Sequence, residues 1–183
     1  MRRQAPITDA ETATGLVLCA GASQRMGQPK GLLDLGGVPL LRAHVETLRR
    51  AGLRVRVVLG FAAEAHTAVL PADVEIVVNA AWATTGMAES AAFGLRGLGV
   101  TILTPVDAPP AAPDTLAALL AASGDAVPCH DGRDGHPVRL QPPHPPGRID
   151  LRLAAAPRLP VADPDCVRNL NTPDEWAAWR RRI

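Results

Sequence analysis

Short apolar runs rich in β-branched residues alternate along the chain with longer segments whose apolar residues recur at helical spacing. The short runs predict strands at residues 15–20, 54–59, 74–78 and 100–104. The longer segments predict helices at residues 40–51, 61–70 and 87–98. Strands that alternate with helices in this way are typical of βαβ units. The pattern therefore predicts an α/β fold, a single doubly wound, Rossmann-like domain around a mainly parallel sheet.

The second half of the chain has a less regular pattern. It predicts a helix at 113–122, a strand at 125–129, a turn at 131–135 and a further strand at 138–140. The turn gives the sheet a mixed edge, and the proline-rich stretch 141–146 leaves the sheet, because proline cannot donate to a strand ladder. A last helix is predicted to follow Thr172, since a hydroxyl N-cap, a proline and two acidic residues succeed one another there.

The composition limits the function classes that remain. With 183 residues, 47% hydrophobic and 20% charged, the chain is typical of one globular domain. We expect residues 1–13 to form a flexible N-terminal segment and residues 14–183 to form the domain. The net charge of +1 makes nucleic acid and anionic membranes poor partners. No apolar run reaches the roughly 18 residues of a membrane span, and no secretion signal is recognisable, so we expect a cytoplasmic protein.

The first predicted strand ends in a glycine-containing loop, residues 20–30, at the edge of the sheet where ligands bind in open α/β folds. Its small residues would let backbone N–H groups approach an anion, and Arg25 and Lys30 add positive charge. Lys30 is the only lysine among the 19 basic residues. A single lysine can mark a site that needs a compact ammonium, or it can be there by chance. Taken alone, the count does not decide between the two. The loop matches neither the Walker pattern nor the dinucleotide fingerprint, so an ordinary βα turn stays open.

Other polar residues are weaker candidates when taken alone. Asp107 follows the predicted strand 100–104 at the same sheet edge, where a carboxylate suits Mg²⁺, although a turn-forming aspartate is the alternative. Three scattered cysteines form no CxxC pair, so we expect small buried thiols and neither disulfides nor a zinc site. Four histidines have no catalytic or metal-binding neighbours in the sequence and are expected at the surface: His44, His66, His130 and His144.

In the loop at residues 18–30 and in several later segments, the sequence resembles a known family, the MobA-like nucleoside triphosphate transferases. This family includes the molybdenum cofactor cytidylyltransferases and guanylyltransferases. The resemblance extends over roughly residues 15–179. It is carried by Leu18-x-Ala20-Gly21-x-Ser23-x-Arg25-Met26-Gly27-x-Pro29-Lys30, Asn79 with Gly86-Met87-x-x-Ser90 and Gly94, Val106-Asp107-x-Pro109, Gly135-His136-Pro137 and Asn169-Leu170-Asn171-Thr172-Pro173.

The resemblance implies a nucleotide-diphospho-sugar transferase-like fold and a Mg²⁺-dependent nucleotidyl transfer that releases pyrophosphate. It implies catalytic roles for Lys30, Arg25 and Asp107, with Lys30 and Arg25 on the triphosphate. Nucleotide binding is implied for Leu18, Ala20, Gly21, Ala22, Ser23, Asn79 and Ser90. Acceptor binding is implied for Gly135 and His136, although a histidine that merely starts a strand after the turn is the alternative for His136. Metal binding is implied for Asp107 and Asn171, with Asn169 as the alternative ligand. Asn171 stands where the family often has aspartate, and a helix-capping role for it stays open.

The resemblance also bears on the two substrates. The Ala-Gly-x-Ser form of the loop, with proline before Lys30, is similar to cytidylyltransferases and implies CTP rather than GTP. Molybdopterin is the acceptor that this subtype implies. However, the Gly-Asp-x-Gly-Ala-Arg segment of cytidylyltransferases is replaced here by the shortened stretch 145–152. Transfer to a sugar or polyol phosphate therefore stays open, as does a non-catalytic nucleotide-binding module.

Overall fold

The computed structural model of the protein describes residues 13–147 and 149–183. The strands are β1 (Thr14–Cys19), β2 (Asp34–Leu35), β3 (Val38–Pro39), β4 (Arg54–Leu59), β5 (Glu75–Val78), β6 (Thr101–Pro105), β7 (Val127–His130), β8 (Arg133–Asp134), β9 (Val138–Leu140) and β10 (Arg158–Pro160). The α-helices are α1 (Leu40–Arg50), α2 (Ala63–Ala68), α3 (Met87–Leu95), α4 (Pro113–Ala121), α5 (Ile149–Ala155) and α6 (Pro173–Arg180). Two 3₁₀ turns, Gln24–Met26 and Lys30–Leu32, lie in the loop after β1.

The central sheet has the strand order β5-β4-β1-β6-β9. Its first four strands are parallel, and β9 pairs with β6 in the antiparallel sense, so the predicted mixed edge is confirmed. The chain runs outward from β1 through β4 to β5 and then returns to place β6 on the other side of β1. The carboxyl ends of β1 and β6 therefore form the topological switch point at which α/β sheets bind ligands.

Alternate residues of β1 pack on opposite faces of the sheet. Val17 and Cys19 join the core that α1, α4 and α6 cover, whereas Leu16 and Leu18 join the core beneath α3 and α5. Because both faces are buried under helices, the strand is apolar without a polar alternate, as parallel strands usually are. The predicted doubly wound α/β fold is confirmed.

The element boundaries differ from the predicted ones where the backbone leaves the helical region. Helix α2 begins at Ala63, because Ala62 has a left-handed conformation with φ of 53°. Helix α3 ends at Leu95, because Arg96 is extended and Gly97 has a φ of 71°. The hairpin β2–β3, helix α5 and strand β10 were not predicted, since elements this short or flanked by proline have no measurable periodicity.

The structure describes only the last residue of the N-terminal segment that was predicted to be flexible. Residues 1–12 of the predicted flexible segment lie outside the described residues. Ala13, its last residue, is buried, and the next residue, Thr14, donates its backbone N–H to Val100 O at 2.9 Å. Ala13 therefore belongs to the folded domain. Within the described ranges, no helix is long and apolar enough to cross a bilayer.

The surface prediction for the histidines is wrong for His44 and His66, which are 2% and 1% exposed. His44 on α1 donates its Nε2–H to Ala108 O at 3.0 Å, and burial lowers its pKa to about 4. The ring of His66 packs over Gly31, where an added Cβ would lie 2.7 Å from it. Both rings fill space beneath the loops at the switch point. Cys19 and Cys166 are buried thiols, as expected, and burial raises the pKa of Cys19 to about 12.

Candidate active site

The loop after β1 and the Val106-Asp107 segment after β6 leave the sheet side by side. Val106 donates its backbone N–H to Leu18 O at 2.9 Å, which extends the β1–β6 ladder up to the point where both chains turn away. Asp107 thus stands opposite the loop that contains Lys30. The two segments are far apart in sequence, and the parallel sheet brings them together.

The loop has the geometry of an anion-binding turn. Ser23 has a left-handed conformation with φ of 54°, and Gly27, with φ of 73°, closes the following 3₁₀ turn through its N–H to Gln24 O. The Ser23 hydroxyl accepts the backbone N–H of Lys30 at 3.2 Å and holds the two ends of the loop together. No hydrogen bond within the described part of the chain uses the backbone N–H groups of residues 21–24. Successive free N–H groups around a left-handed residue form a concave nest for anions.

Lys30 is the centre of the site. It is 8% exposed, and its ammonium lies 3.1 Å from Asp107 Oδ2 and 2.7 Å from Asn171 Oδ1. These two contacts join the first loop, the end of β6 and the segment before α6. A charged group this deeply placed needs partners of this kind, because burial without them is costly.

Asn171 is held in place from both sides. The preceding residue, Leu170, donates its N–H to Asp107 O at 2.6 Å, and Asn171 donates its own N–H to Glu175 Oε2 at 2.7 Å. Glu175 forms a capping box with Thr172 at the start of α6. The backbone N–H of Asn171 beside it lowers the pKa of Glu175. The predicted helix start at Thr172 is therefore confirmed, and it fixes the Asn171 side chain toward Lys30.

Two adjoining clefts open at this edge of the sheet. The first has a volume of about 220 Å³ and lies between the β1 loop and the start of α3. The second, of about 500 Å³, lies on the outer side of the loop. Lys30 and Asp107 line both clefts. The predicted residues that line the first cleft are Leu18, Ala20, Gly21, Ser23 and Ser90, and those that line the second are Gly21, Ala22, Ser23, Arg25 and Asn171.

Asn79 lies beneath the first cleft and does not line it. The side chain is 1% exposed, and its amide donates to Thr85 Oγ1 at 2.8 Å and to Ser90 Oγ at 3.1 Å. Its oxygen accepts the backbone N–H of Ala81 at 3.1 Å. Asn79 therefore orders the loop that carries Thr85 and Ser90, and these two residues reach the cleft in its place.

The two predicted acceptor residues lie beyond Asp107 and line neither cleft. Gly135 packs against the backbone of Cys166, where an added Cβ would lie 2.6 Å from the carbonyl oxygen, so only glycine fits. His136 donates its backbone N–H to Cys166 O at 2.8 Å. Its Nδ1 is buried without a hydrogen-bond partner among the described residues. Burial lowers the pKa of His136, while the negative charge of Asp107 acts in the opposite direction.

Sequence reasoning missed Trp82, which lines both clefts. Its ring meets the edge of Phe61 with 5.3 Å between the ring centres, and Gly60 gives it room, since an added Cβ there would lie 2.6 Å from Trp82 Cβ. A rare aromatic residue in a loop after a parallel strand was a usable signal for this position. Thr85 and Met87 were also missed as lining residues.

The site can supply few protein ligands to a metal ion. Across the described ranges, no three His, Cys, Asp or Glu side chains form a group that could hold one. Asp107 and Asn171 instead direct one carboxylate oxygen and one amide oxygen at the same cation, the Lys30 ammonium. Two oxygen ligands suit Mg²⁺, which commonly keeps waters and takes its remaining ligands from substrate phosphates.

Solved structures of similar fold include a mycobacterial protein and a nucleotidyl transferase. Rv0371c from Mycobacterium tuberculosis H37Rv is 25% identical, with a TM-score of 0.77, and the match covers 94% of this chain and 99% of that one. A manganese complex of the same protein matches at 23% identity with a TM-score of 0.72. A nucleotidyl transferase from a Methanothermobacter species shares the fold at 22% identity and a TM-score of 0.77, with 93% and 97% of the two chains covered.

Sequence comparison points in the same direction. The molybdenum cofactor guanylyltransferase of Xanthomonas euvesicatoria pv. vesicatoria (strain 85-10) is 36% identical over 118 residues, which are 60% of this chain. The match spans about half of that relative, 54% of its length. The model of the MobA-like NTP transferase domain matches residues 15–156, well over half of the chain. The resemblance noted from the motifs is thereby confirmed, and the chain belongs to the MobA-like NTP transferase family.

Proposed function

We propose that the protein transfers a nucleoside monophosphate from a nucleoside triphosphate to a phosphorylated acceptor and releases pyrophosphate. The observation that carries this proposal is the meeting of Lys30 with Asp107 and Asn171, at 3.1 and 2.7 Å, beside a loop with free backbone N–H groups. Such a site combines an anion nest, a fixed ammonium and two oxygen ligands. Phosphoryl chemistry depends on positioning and charge neutralisation of this kind more than on covalent catalysis.

In the proposed reaction, a phosphate oxygen of the acceptor attacks the α-phosphorus of the triphosphate in line. A new P–O bond forms to the acceptor, and the bond between the α-phosphorus and the oxygen bridging to the β-phosphate breaks. That oxygen leaves with the electron pair as part of pyrophosphate. No general base is needed, because the attacking phosphate is already an anion. The N–H groups of residues 21–24, with Arg25 and Lys30, would bind the triphosphate and neutralise the charge that develops on the leaving group.

Asp107 and Asn171 would hold a divalent cation, for which we propose Mg²⁺. The fit rests on the donor set, since both oxygens already converge on a positive group, and the manganese complex of the mycobacterial relative supports a divalent ion. When bound, such a cation neutralises charge on the phosphates. We assign Asn171 rather than Asn169 as the second ligand, because Asn171 makes the contact with Lys30.

On the acceptor side, we propose that His136 contacts the acceptor. Its buried Nδ1 lacks a partner among the described residues, and its lowered pKa keeps the ring neutral at pH 7. A neutral imidazole can donate or accept a hydrogen bond without repelling a metal cation. Gly135 contributes by allowing the close approach of the Cys166 segment, which sets the position of the ring.

We propose CTP as the preferred nucleotide. The support is the Ala-Gly-Ala-Ser form of the loop: Ala20 lines the first cleft, and its methyl group would take space that glycine would leave to a purine. The curated relative is a guanylyltransferase and gives this preference no support. The choice of base therefore rests on the loop alone and is tested directly below.

Molybdopterin is the first candidate acceptor, because the curated relative is named for the molybdenum cofactor. One observation favours a smaller sugar or polyol phosphate as a second candidate. In the stretch that replaces the family's Gly-Asp-x-Gly-Ala-Arg segment, Arg152 pairs with Asp125 at 2.7 Å and donates to Gln141 O and Pro143 O. Its guanidinium is therefore not directed at an acceptor.

The deciding experiment measures pyrophosphate release with CTP, GTP and ATP, each combined with molybdopterin and with a panel of sugar and polyol phosphates. We expect release that requires both Mg²⁺ and one acceptor, and a nucleotide adduct of that acceptor in the mass spectrum. Release with a sugar phosphate but not with molybdopterin selects the second candidate. Nucleotide binding without release in any combination contradicts the enzymatic proposal and leaves a nucleotide-binding module.

A further inference from the structure

Lys30 stands in the position that the metal ion needs. Its ammonium contacts Asp107 Oδ2 and Asn171 Oδ1, the same two oxygens that are assigned to the divalent cation above. We propose that Lys30 occupies the metal position until the nucleoside triphosphate arrives, so that the nucleotide opens the metal site. This inference rests on the proposed function and adds an order of binding to it.

Competition follows from the size and charge of the two cations. An ammonium in direct contact with both oxygens leaves no room for a metal ion on the same atoms, and the two positive groups would repel each other at that distance. Lys30 is buried and has no other acidic partner among the described residues, so none of them offers its ammonium a better position in the free protein. A divalent cation alone must therefore displace a paired, buried ammonium without offering it a new partner.

The triphosphate supplies that new partner. The free N–H groups of residues 21–24 and the exposed Arg25 stand at the same cleft as Lys30 and attract phosphate oxygens. Once phosphates are bound there, the ammonium can exchange its contact with Asp107 for a contact with phosphate. Lysine suits this exchange, because its charge sits at the end of a flexible four-carbon stem.

The backbone does not have to move for the exchange. The N–H of Lys30 stays on Ser23 Oγ, and Leu170 remains bonded to Asp107 O. Asn171 is fixed through its N–H to Glu175. Only the Lys30 side chain changes its position, and its departure leaves two pre-positioned oxygens facing the bound phosphates. Metal and nucleotide then bind as a unit.

The first test measures Mn²⁺ binding in the absence of nucleotide. The concentration of free Mn²⁺ is monitored by its electron paramagnetic resonance signal. Lys30→Met removes the ammonium and keeps an apolar stem of similar length, and we expect it to bind Mn²⁺ at least about tenfold more tightly than the natural protein. Lys30→Met combined with Asp107→Asn should lose that gain. Arg42→Met is the matched control, because it removes one positive charge from an exposed pair with Glu46, and its Mn²⁺ affinity should stay unchanged. Equal or weaker Mn²⁺ binding by Lys30→Met overturns the proposal.

The second test uses the natural protein and does not depend on the folding of a variant. Because Lys30 is the only lysine, ¹⁵N-lysine labelling gives one side-chain ammonium signal in the NMR spectrum. We expect Mg²⁺ alone to leave this signal in place, and an NTP analogue with a non-hydrolysable α,β-bridge to shift it. The proposed order is contradicted if Mg²⁺ alone shifts the signal as much as Mg²⁺ together with the analogue does. It is also contradicted if the signal shifts with neither Mg²⁺ nor the analogue.

The two proposals fail separately in these experiments. A protein that releases no pyrophosphate with any acceptor contradicts the proposed function, yet the nucleotide-free Mn²⁺ measurement still reports on Lys30. A protein that releases pyrophosphate, but whose Lys30→Met variant shows no gain in Mn²⁺ affinity, retains its function and loses the proposed order of binding.

Discussion

Two largely buried ion pairs in this protein are similar in composition, a basic side chain with an aspartate, and differ in their surroundings. Lys30 pairs with Asp107 at the switch point, and Arg152 pairs with Asp125 behind the proline-rich stretch. The guanidinium of Arg152 also donates to Gln141 O and Pro143 O, and Asp125 accepts the N–H of Gln141. Around Lys30, by contrast, the N–H groups of residues 21–24 have no partner in the described structure.

The difference shows how a site is distinguished from a scaffold. A polar cluster in which each group has its partner gains nothing from a ligand, and it stabilises the fold only while it is complete. A cluster that leaves donors free, and joins its charges by contacts that a phosphate can replace, remains available for binding.

Asp107→Asn should have the largest effect, because it removes the carboxylate that we propose as a metal ligand while keeping the shape of the side chain. We expect pyrophosphate release at a fixed Mg²⁺ concentration to fall at least about a thousandfold, equivalent to roughly 4 kcal/mol of transition-state stabilisation. The melting temperature should also fall, because the buried Lys30 ammonium loses its charged partner, but the fold should persist, since Asn171 Oδ1 still accepts from Lys30. A variant with unchanged activity would make Asp107 a turn residue and place the metal elsewhere.

Arg152→Met should have the opposite profile. The carboxylate of Asp125, 19% exposed, loses its ion pair, and we expect the free energy of unfolding to drop by about 2 kcal/mol, a value reduced from the cost of a fully buried pair because water reaches this one. Urea denaturation measures the change, and Arg42→Met, from an exposed pair, should stay within about 0.5 kcal/mol of the natural protein. The KM for the acceptor should not change. A raised KM without loss of stability would place Arg152 in the acceptor site.

Lys30→Arg keeps the charge and changes its shape. The buried position between two oxygens suits an ammonium, whereas a guanidinium is larger and planar. We expect turnover at saturating NTP and acceptor to fall at least about tenfold, roughly 1.4 kcal/mol. The melting temperature should fall as well, because the larger group must fit a buried position. Lys30→Ala, measured alongside, should be slower still. Equal turnover of the arginine variant would show that any cation serves at this position.

Ala20→Gly should have the smallest effect, and it tests which nucleobase the protein prefers. With Mg²⁺ present, CTP should raise the melting temperature of the natural protein more than GTP at equal concentration, because the better ligand stabilises the folded state more. In the variant, we expect the ratio of CTP to GTP affinity to fall by about threefold, roughly 0.6 kcal/mol. Ala22→Gly is the matched control, because it adds the same backbone freedom at a residue that lines only the second cleft. It should leave the ratio of CTP to GTP affinity unchanged. A larger thermal shift with GTP in the natural protein would reverse the proposed preference.

Much of the fold could be predicted because its signals are local. The apolar run at 54–59 matches β4 residue for residue, and the capping pattern at Thr172 predicted the start of α6. The buried positions of His44 and His66 could not be predicted, because a carbonyl from residue 108 and a glycine at 31 receive the two rings through tertiary contacts. Short strands such as β2 and β10 exist only because a partner strand lies beside them.

The site shows the same division. The loop residues and Asp107 could be placed at one sheet edge from strand order alone, since carboxyl ends of parallel strands meet there. The interpretation of Asn79 as a nucleotide ligand did not foresee that Thr85 and Ser90 take up both of its amide hydrogens. Which polar side chain faces a cleft and which one supports it depends on packing that the motif does not record.

The contacts of Lys30 also determine when the candidate site can assemble during synthesis of the chain. One partner lies 77 residues further along the chain and the other 141 residues further. Contacts between residues so far apart form late in folding, and the N-terminal part of a chain leaves the ribosome first. During synthesis, Lys30 therefore lacks its Asp107 partner until 77 further residues have been added and its Asn171 partner until 141 have been added. The loop acquires its full set of partners only when the segment before α6 docks, so the docking of that segment completes the Lys30 cluster.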